Sequence, residues 1–194
     1  DSSFTAHGPF ASMTEFLETV IAGFAQGAPR HHHLVFKAHP LEDGRTPLRA
    51  DLARFGRAHG VADRLHFIRG GKLAALLDHA ASAVTVNSTA AQQALWRGLP
   101  VKAFGRAVYA KPEFVSPQPV AEFFSSPQRP DTRAYRDFRT FLLETSQVAG
   151  GFYSGRGRRQ LLRQVVDMML APHDPYEALA RGTAAPRRLL RAVT

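Results

Sequence analysis

The sequence contains no cysteine, which removes disulfides, thiolate zinc sites and cysteine nucleophiles together. It also lacks any run of about 18 or more apolar residues, so a membrane-spanning helix is excluded. Acidic residues are scarce beside basic ones, 16 against 25, leaving a formal charge of +9. That excess points to an anionic partner such as a nucleotide-linked substrate, nucleic acid or an acidic lipid surface. Aromatic residues are missing where nucleic-acid recognition would need them. From Arg156 to Thr194 the arginines are accompanied by Tyr176 alone, so no nucleic-acid partner is expected. No glycine-rich phosphate loop with its lysine and hydroxyl residue is present, and Gly70-Gly71-Lys72 reads as a turn. A metal is not expected either. His31, His32 and His33 are consecutive, so on entering a strand they point to alternate faces and cannot share one ion.

What is present is a chain of 194 residues, 44% hydrophobic and 21% charged, long enough to bury a core in one domain. Residues 1–170 read as that domain and 171–194 as a basic tail. Beginning at Asp1 without a charged-then-apolar leader, the chain reads as a piece of a longer protein rather than a secreted precursor. Short apolar runs alternate with longer amphipathic ones, the pattern of an α/β fold with a parallel sheet and flanking helices. Met13 to Phe24 is a helix by its apolar spacing. Leu34 to Phe36, Leu65 to Ile68, Ala83 to Val86 and Val101 to Phe104 are strands. Leu48, Leu52 and Phe55 mark a helix closed by Gly60, and Leu73 to Leu77 a short one. A further helix beginning at Asn87 or Ser88 ends at Gly98. Right-handed crossovers would lay the four strands in one sheet. The proline-rich stretch 111–130 reads as loop, and helices are expected at Arg133 to Glu144 and Gly157 to Leu170.

In an open parallel sheet, ligands bind beyond the carboxyl ends of the strands. Three segments leave strands there. Lys37-Ala38-His39-Pro40 follows the first strand, and Pro40 ends that strand with His39 at its edge. Asn87-Ser88-Thr89 follows the third, where hydroxyl and amide side chains suit either a helix cap or a phosphate seat. Gln93, on the next turn, lies within reach of a ribose hydroxyl if a nucleotide occupies that seat. Gly105 follows the fourth strand, with Tyr109 a few residues on.

Leu34-Val35-Phe36-Lys37-Ala38-His39-Pro40, Val86-Asn87-Ser88-Thr89 with Ala94-Leu95 and Gly98-Leu99-Pro100-Val101, and Gly150-Gly151-Phe152-Tyr153 resemble the capsular polysaccharide biosynthesis and export family of Gram-negative bacteria. The resemblance runs from Asp1 to about Tyr176. It implies a Rossmann-like domain similar to the nucleotide-binding half of a GT-B glycosyltransferase. It further implies transfer of Kdo with retention from CMP-Kdo to a glycolipid acceptor, without a further cofactor. By that resemblance Asp1 is the nucleophile, His39 and Lys37 face the donor's negative charges, and Asn87, Ser88 and Thr89 surround its phosphate. Ala91 stands where many relatives have glycine, Ala38 where histidine or proline is commoner, and Gln93 where glutamate is frequent. The implied setting is the cytoplasmic face of the inner membrane, with an anionic membrane surface or capsule assembly proteins as partners. The other function class compatible with these residues is a non-catalytic capsule assembly or export component that keeps the fold for docking.

Overall fold

Residues 8–38, 47–148, 150–152 and 154–182 are described by a computed structural model of the chain. Phe16, Leu17, Val20, Ile21 and Phe24 recur at helical spacing, and α1 (Met13–Gly27) forms around them. Its start is doubly tied. Ser12 Oγ accepts from Glu15 N at 3.2 Å, and Glu15 Oε2 accepts from Ala11 N at 2.8 Å, so side chains take up amides that the helix itself leaves unpaired. The chain then alternates through β1 (Leu34–Lys37), α2 (Leu48–Ala58), a 3-10 turn at Ala62–Arg64, β2 (Leu65–Ile68), α3 (Leu73–Leu77), β3 (Ala83–Thr85), α4 (Ala91–Trp96) and β4 (Val101–Ala103). Gly60 and Gly98 follow α2 and α4 with φ of 67° and 69°, the left-handed conformation that ends a helix with least strain in glycine.

The class is α/β with short parallel strands and flanking helices. β1 runs parallel to β2 with Leu34 opposite Leu65 and Phe36 opposite Phe67, and β3 parallel to β4 with Ala83 opposite Val101. The expectation of one four-stranded sheet is therefore corrected. Among the described residues the hydrogen-bonded strands form two separate pairs. Strands of three or four residues make few ladder bonds, and their order depends on contacts distant in sequence. Both pairs serve one core all the same. Leu34, Phe36 and Leu65 of the first pair and Val84 of the second pack, with Phe104, against Val20, Phe24, Phe123 and Phe124. On its other side α1 buries Leu17 and Ile21 with Leu52, Phe55 and Val61.

The stretch expected to be loop contains a helix, α5 (Val120–Ser125). Pro119 stands immediately before it, where a missing N–H costs nothing, and Phe123 and Phe124 are buried beneath it. α1 and α5 approach closely because Gly23 and Gly27 face Val120 and Ala121, and a Cβ at either glycine would overlap them.

The chain divides into two compact units, Asp1–Tyr135 and Arg136–Thr194. Three further helices follow α5: α6 (Thr132–Thr145), α7 (Gly155–Met169) and α8 (Pro175–Ala180). Ser154 caps α7, its Oγ accepting from Gly157 N at 3.0 Å. Gly150, at φ 137°, lies so near Gly157 O and Leu161 N that a Cβ there would press on backbone. The segment read as a basic tail begins with α8, which Asp174 Oδ1 starts by accepting from Tyr176 N at 2.8 Å, with Pro175 in the first turn.

Candidate functional site

Beyond β3 the strand pairing continues past the regular ladder. Phe104 N donates to Thr85 O at 3.0 Å and Gly105 N to Val86 O at 2.7 Å. Val86 is buried with Phe10. Phe10, Phe16 and Phe104 form an edge-to-face trio with centroids 5.5, 5.0 and 5.9 Å apart, a rigid apolar floor. On this support Asn87 is half-buried while Ser88 and Thr89 are exposed.

The helix expected to begin at Asn87 or Ser88 begins at Ala91 instead, after a cap at Ala90 that makes no side-chain hydrogen bond. The triplet forms a turn. Thr85 Oγ1 accepts from Ser88 N at 3.2 Å, Ser88 Oγ accepts from Ala90 N at 3.2 Å, and Ala91 N donates to Ser88 O at 3.1 Å. Short polar side chains serve turns and caps by the same bonds to nearby amides, and here the upstream Thr85 hydroxyl draws the chain into the turn first. Ser88 Oγ acts as acceptor in this bond, so its hydroxyl proton is available to donate to an anion.

Tyr109 is fully buried, and its hydroxyl donates to Ser88 O at 2.5 Å across 21 residues of sequence. Burial, with Tyr135 nearby, pushes its pKa up to about 12, so the phenol remains a neutral donor. Tyr135, also fully buried, donates to Gln92 O at 3.2 Å and packs edge-on against Phe114 at 5.4 Å. Two buried tyrosines thus hold this region, Tyr109 at the β3–α4 connection and Tyr135 at the first turn of α4. The sequence shows Tyr109 only as an aromatic residue beyond the fourth strand. Its partner, a main-chain carbonyl, carries no sequence signal.

The remaining expected site residues divide as follows. Gln93 is exposed in the first turn of α4, and its carbonyl accepts from Arg97 Nη1 at 3.0 Å. Lys37 is half-buried at the end of β1, opposite Ile68, and Ala38 N extends the pairing by donating to Ile68 O at 3.0 Å. Asp1 and His39 lie outside the described residues. Asn87, Ser88 and Thr89 form the β3–α4 connection and Gln93 follows in the first turn of α4, while Lys37 ends a strand of the other pair. An open groove lined by Arg49, Leu52, Arg57, Leu65 and Phe67 runs along α2 and β2 and contains none of these residues. Gly70 and Gly71 have φ of 74° and 71° and form the expected turn. No group of three or more metal-ligating side chains occurs among the described residues. What the connection offers chemically is a rigid strand end presenting two exposed hydroxyls, suited to the oxygens of an anion.

Comparison with known proteins agrees with the family motifs. A family of capsule polysaccharide biosynthesis proteins matches residues 1–153. The capsule polysaccharide modification protein LipB of Neisseria meningitidis, from serogroup A and from serogroup B, is 33% identical over 155 residues, 79% of this chain and 37% of the relative. The capsule polysaccharide export protein KpsS of Escherichia coli is 29% identical over 153 residues, 79% of this chain and 39% of the relative. The chain thus spans under two fifths of the length of these curated relatives. No solved structure matches it.

Proposed function

Because the chain belongs to the capsule polysaccharide biosynthesis family, we propose that it is the donor-binding half of a glycosyltransferase that moves Kdo from CMP-Kdo to a lipid-linked acceptor with retention. The observation that carries this reading is the exposed Ser88-Thr89 pair at the carboxyl end of β3, held by Tyr109 through Ser88 O. A nucleotide-linked sugar acid brings a phosphate and a carboxylate. Fixed hydroxyl donors and a chain charge of +9 suit both. Lys37 adds a cation at the end of β1, in the other strand pair, and Gln93 offers a neutral partner to a ribose hydroxyl.

In this reading Asp1 and His39 complete the chemistry. The Asp1 carboxylate attacks the anomeric carbon as the bond from that carbon to the CMP phosphate oxygen breaks, and CMP leaves with the electron pair. The acceptor hydroxyl then displaces Asp1, gives its proton to a base, and restores the original configuration. His39 contributes to holding the donor before and during the first step. The setting is the cytoplasmic face of the inner membrane, where a lipid-linked acceptor is presented.

Transfer assays on the protein carrying both donor and acceptor halves test the mechanism. Asp1→Asn keeps the side chain's size, so donor binding persists while turnover falls by about a thousandfold or more. His39→Ala weakens binding and turnover together. An Asp1→Asn enzyme that retains most of its turnover removes the covalent step.

A further inference from the structure

Helix α7 carries more apolar surface than its surroundings cover. Leu162, Val166 and Met169, with Leu170 just past the helix, are 62%, 49%, 79% and 77% exposed. Their offsets of four, three and one residues set them along one strip of the helix surface. Leu161, Val165 and Met168, on the adjoining strip, are half-buried, so the helix already has one apolar edge packed and presents a second to solvent. At roughly 100° per residue, Arg159 heads the exposed strip while Arg158 and Arg163 flank it on opposite sides. All three are exposed, and Arg158 is steadied by donating to Phe152 O at 3.2 Å. Asp167, the acidic residue of the helix, lies beyond Arg163, outside the apolar strip but next to that arginine.

We propose that this face of α7 docks on an anionic lipid surface, the arginines meeting headgroup phosphates while Leu162, Val166, Met169 and Leu170 enter the headgroup boundary. The charge pattern selects this occupant. An apolar strip bordered by arginines matches a surface that is apolar beneath and negative above. A second copy of the same face packed in parallel would oppose arginine to arginine. The proposal is independent of the donor reading, since its residues take no part in the β3–α4 connection.

Co-sedimentation of the 194-residue chain with vesicles tests it, using phosphatidylcholine alone and phosphatidylcholine with about 30% phosphatidylglycerol. The expected result is partitioning into the anionic vesicles only, weakened by salt. A Leu162→Ser, Met169→Ser double variant should bind about tenfold more weakly at unchanged charge. Both positions are exposed, so the variant should keep the far-ultraviolet circular dichroism of the parent, read on the same samples. Arg159→Gln with Arg163→Gln should weaken binding and flatten its salt dependence. Equal binding to neutral vesicles, no binding to either kind, or a double serine variant that binds like the parent overturns the proposal. So does a dimer, seen by light scattering, that the serine variant dissociates, because the strip then belongs to a second copy.

Discussion

Tyr109 donates to the carbonyl of Ser88, and through that one bond the loop after β4 fixes the turn after β3. In Tyr109→Phe the carbonyl still accepts from Ala91 N, so the expected loss of stability in urea unfolding is modest, about 1 kcal/mol. Affinity for an anion at Ser88 and Thr89 should fall with it, because the turn loses its tether. The phenol also predicts a pH dependence. Its folded pKa is raised from 10.0 to about 12, so between those values the unfolded chain gives up a proton that the folded chain keeps. Stability from this group is therefore complete below pH 10 and lost as the pH rises to about 12. Alkaline unfolding of Tyr109→Phe should lack this component, and a variant with the parent's alkaline limb would show that another group causes it. At this scale the exposed hydroxyls were legible in the sequence as polar residues directly after an apolar run. The tether was not, since neither the spacing nor the main-chain acceptor leaves a mark in the sequence.

Among the elements, the contact between α1 and α5 is the one that tolerates least change. Gly27→Ala would drive a Cβ into the Ala121 backbone, and with backbone on both sides neither helix can yield locally. A loss of about 1–3 kcal/mol is expected, read as a lowered melting temperature. A melting temperature equal to the parent's would mean that the helices sit farther apart. Ser12→Ala should cost about 1 kcal/mol by removing the acceptor for Glu15 N. The helices and strands of the first hundred residues were legible because apolar spacing is local, and Gly60 and Gly98 mark helix ends. α5 was hidden by the prolines around it, although Pro119 before Val120 is a helix-start signal. The start of α4 differs from the sequence expectation because Asn87, Ser88 and Thr89 each suit a cap, and Thr85, which decides the matter, lies upstream of all three.

At the scale of the whole molecule, the α/β class follows from alternation along the chain, whereas the grouping of strands into two pairs depends on contacts far apart in sequence. The family was legible in motifs, two of which run through or directly follow the strands Leu34–Lys37 and Ala83–Thr85. The basic charge is distributed likewise, with α7 holding arginines on an exposed apolar face and the β3–α4 connection offering neutral donors. Lipid attraction and donor recognition therefore separate experimentally, since the serine substitutions on α7 should leave nucleotide binding unchanged.

The most direct test of donor binding at the end of β3 is calorimetric titration of the chain with CMP-Kdo, repeated on a Ser88→Ala, Thr89→Ala double variant. Saturable binding at one site is expected, retained in part by CMP and absent with UDP and GDP. The double variant should bind about tenfold or more weakly, having lost two hydroxyl donors to the anion. Folded chain that gives no heat with CMP-Kdo, or a double variant that binds it as tightly as the parent, would contradict a donor site at Asn87, Ser88 and Thr89.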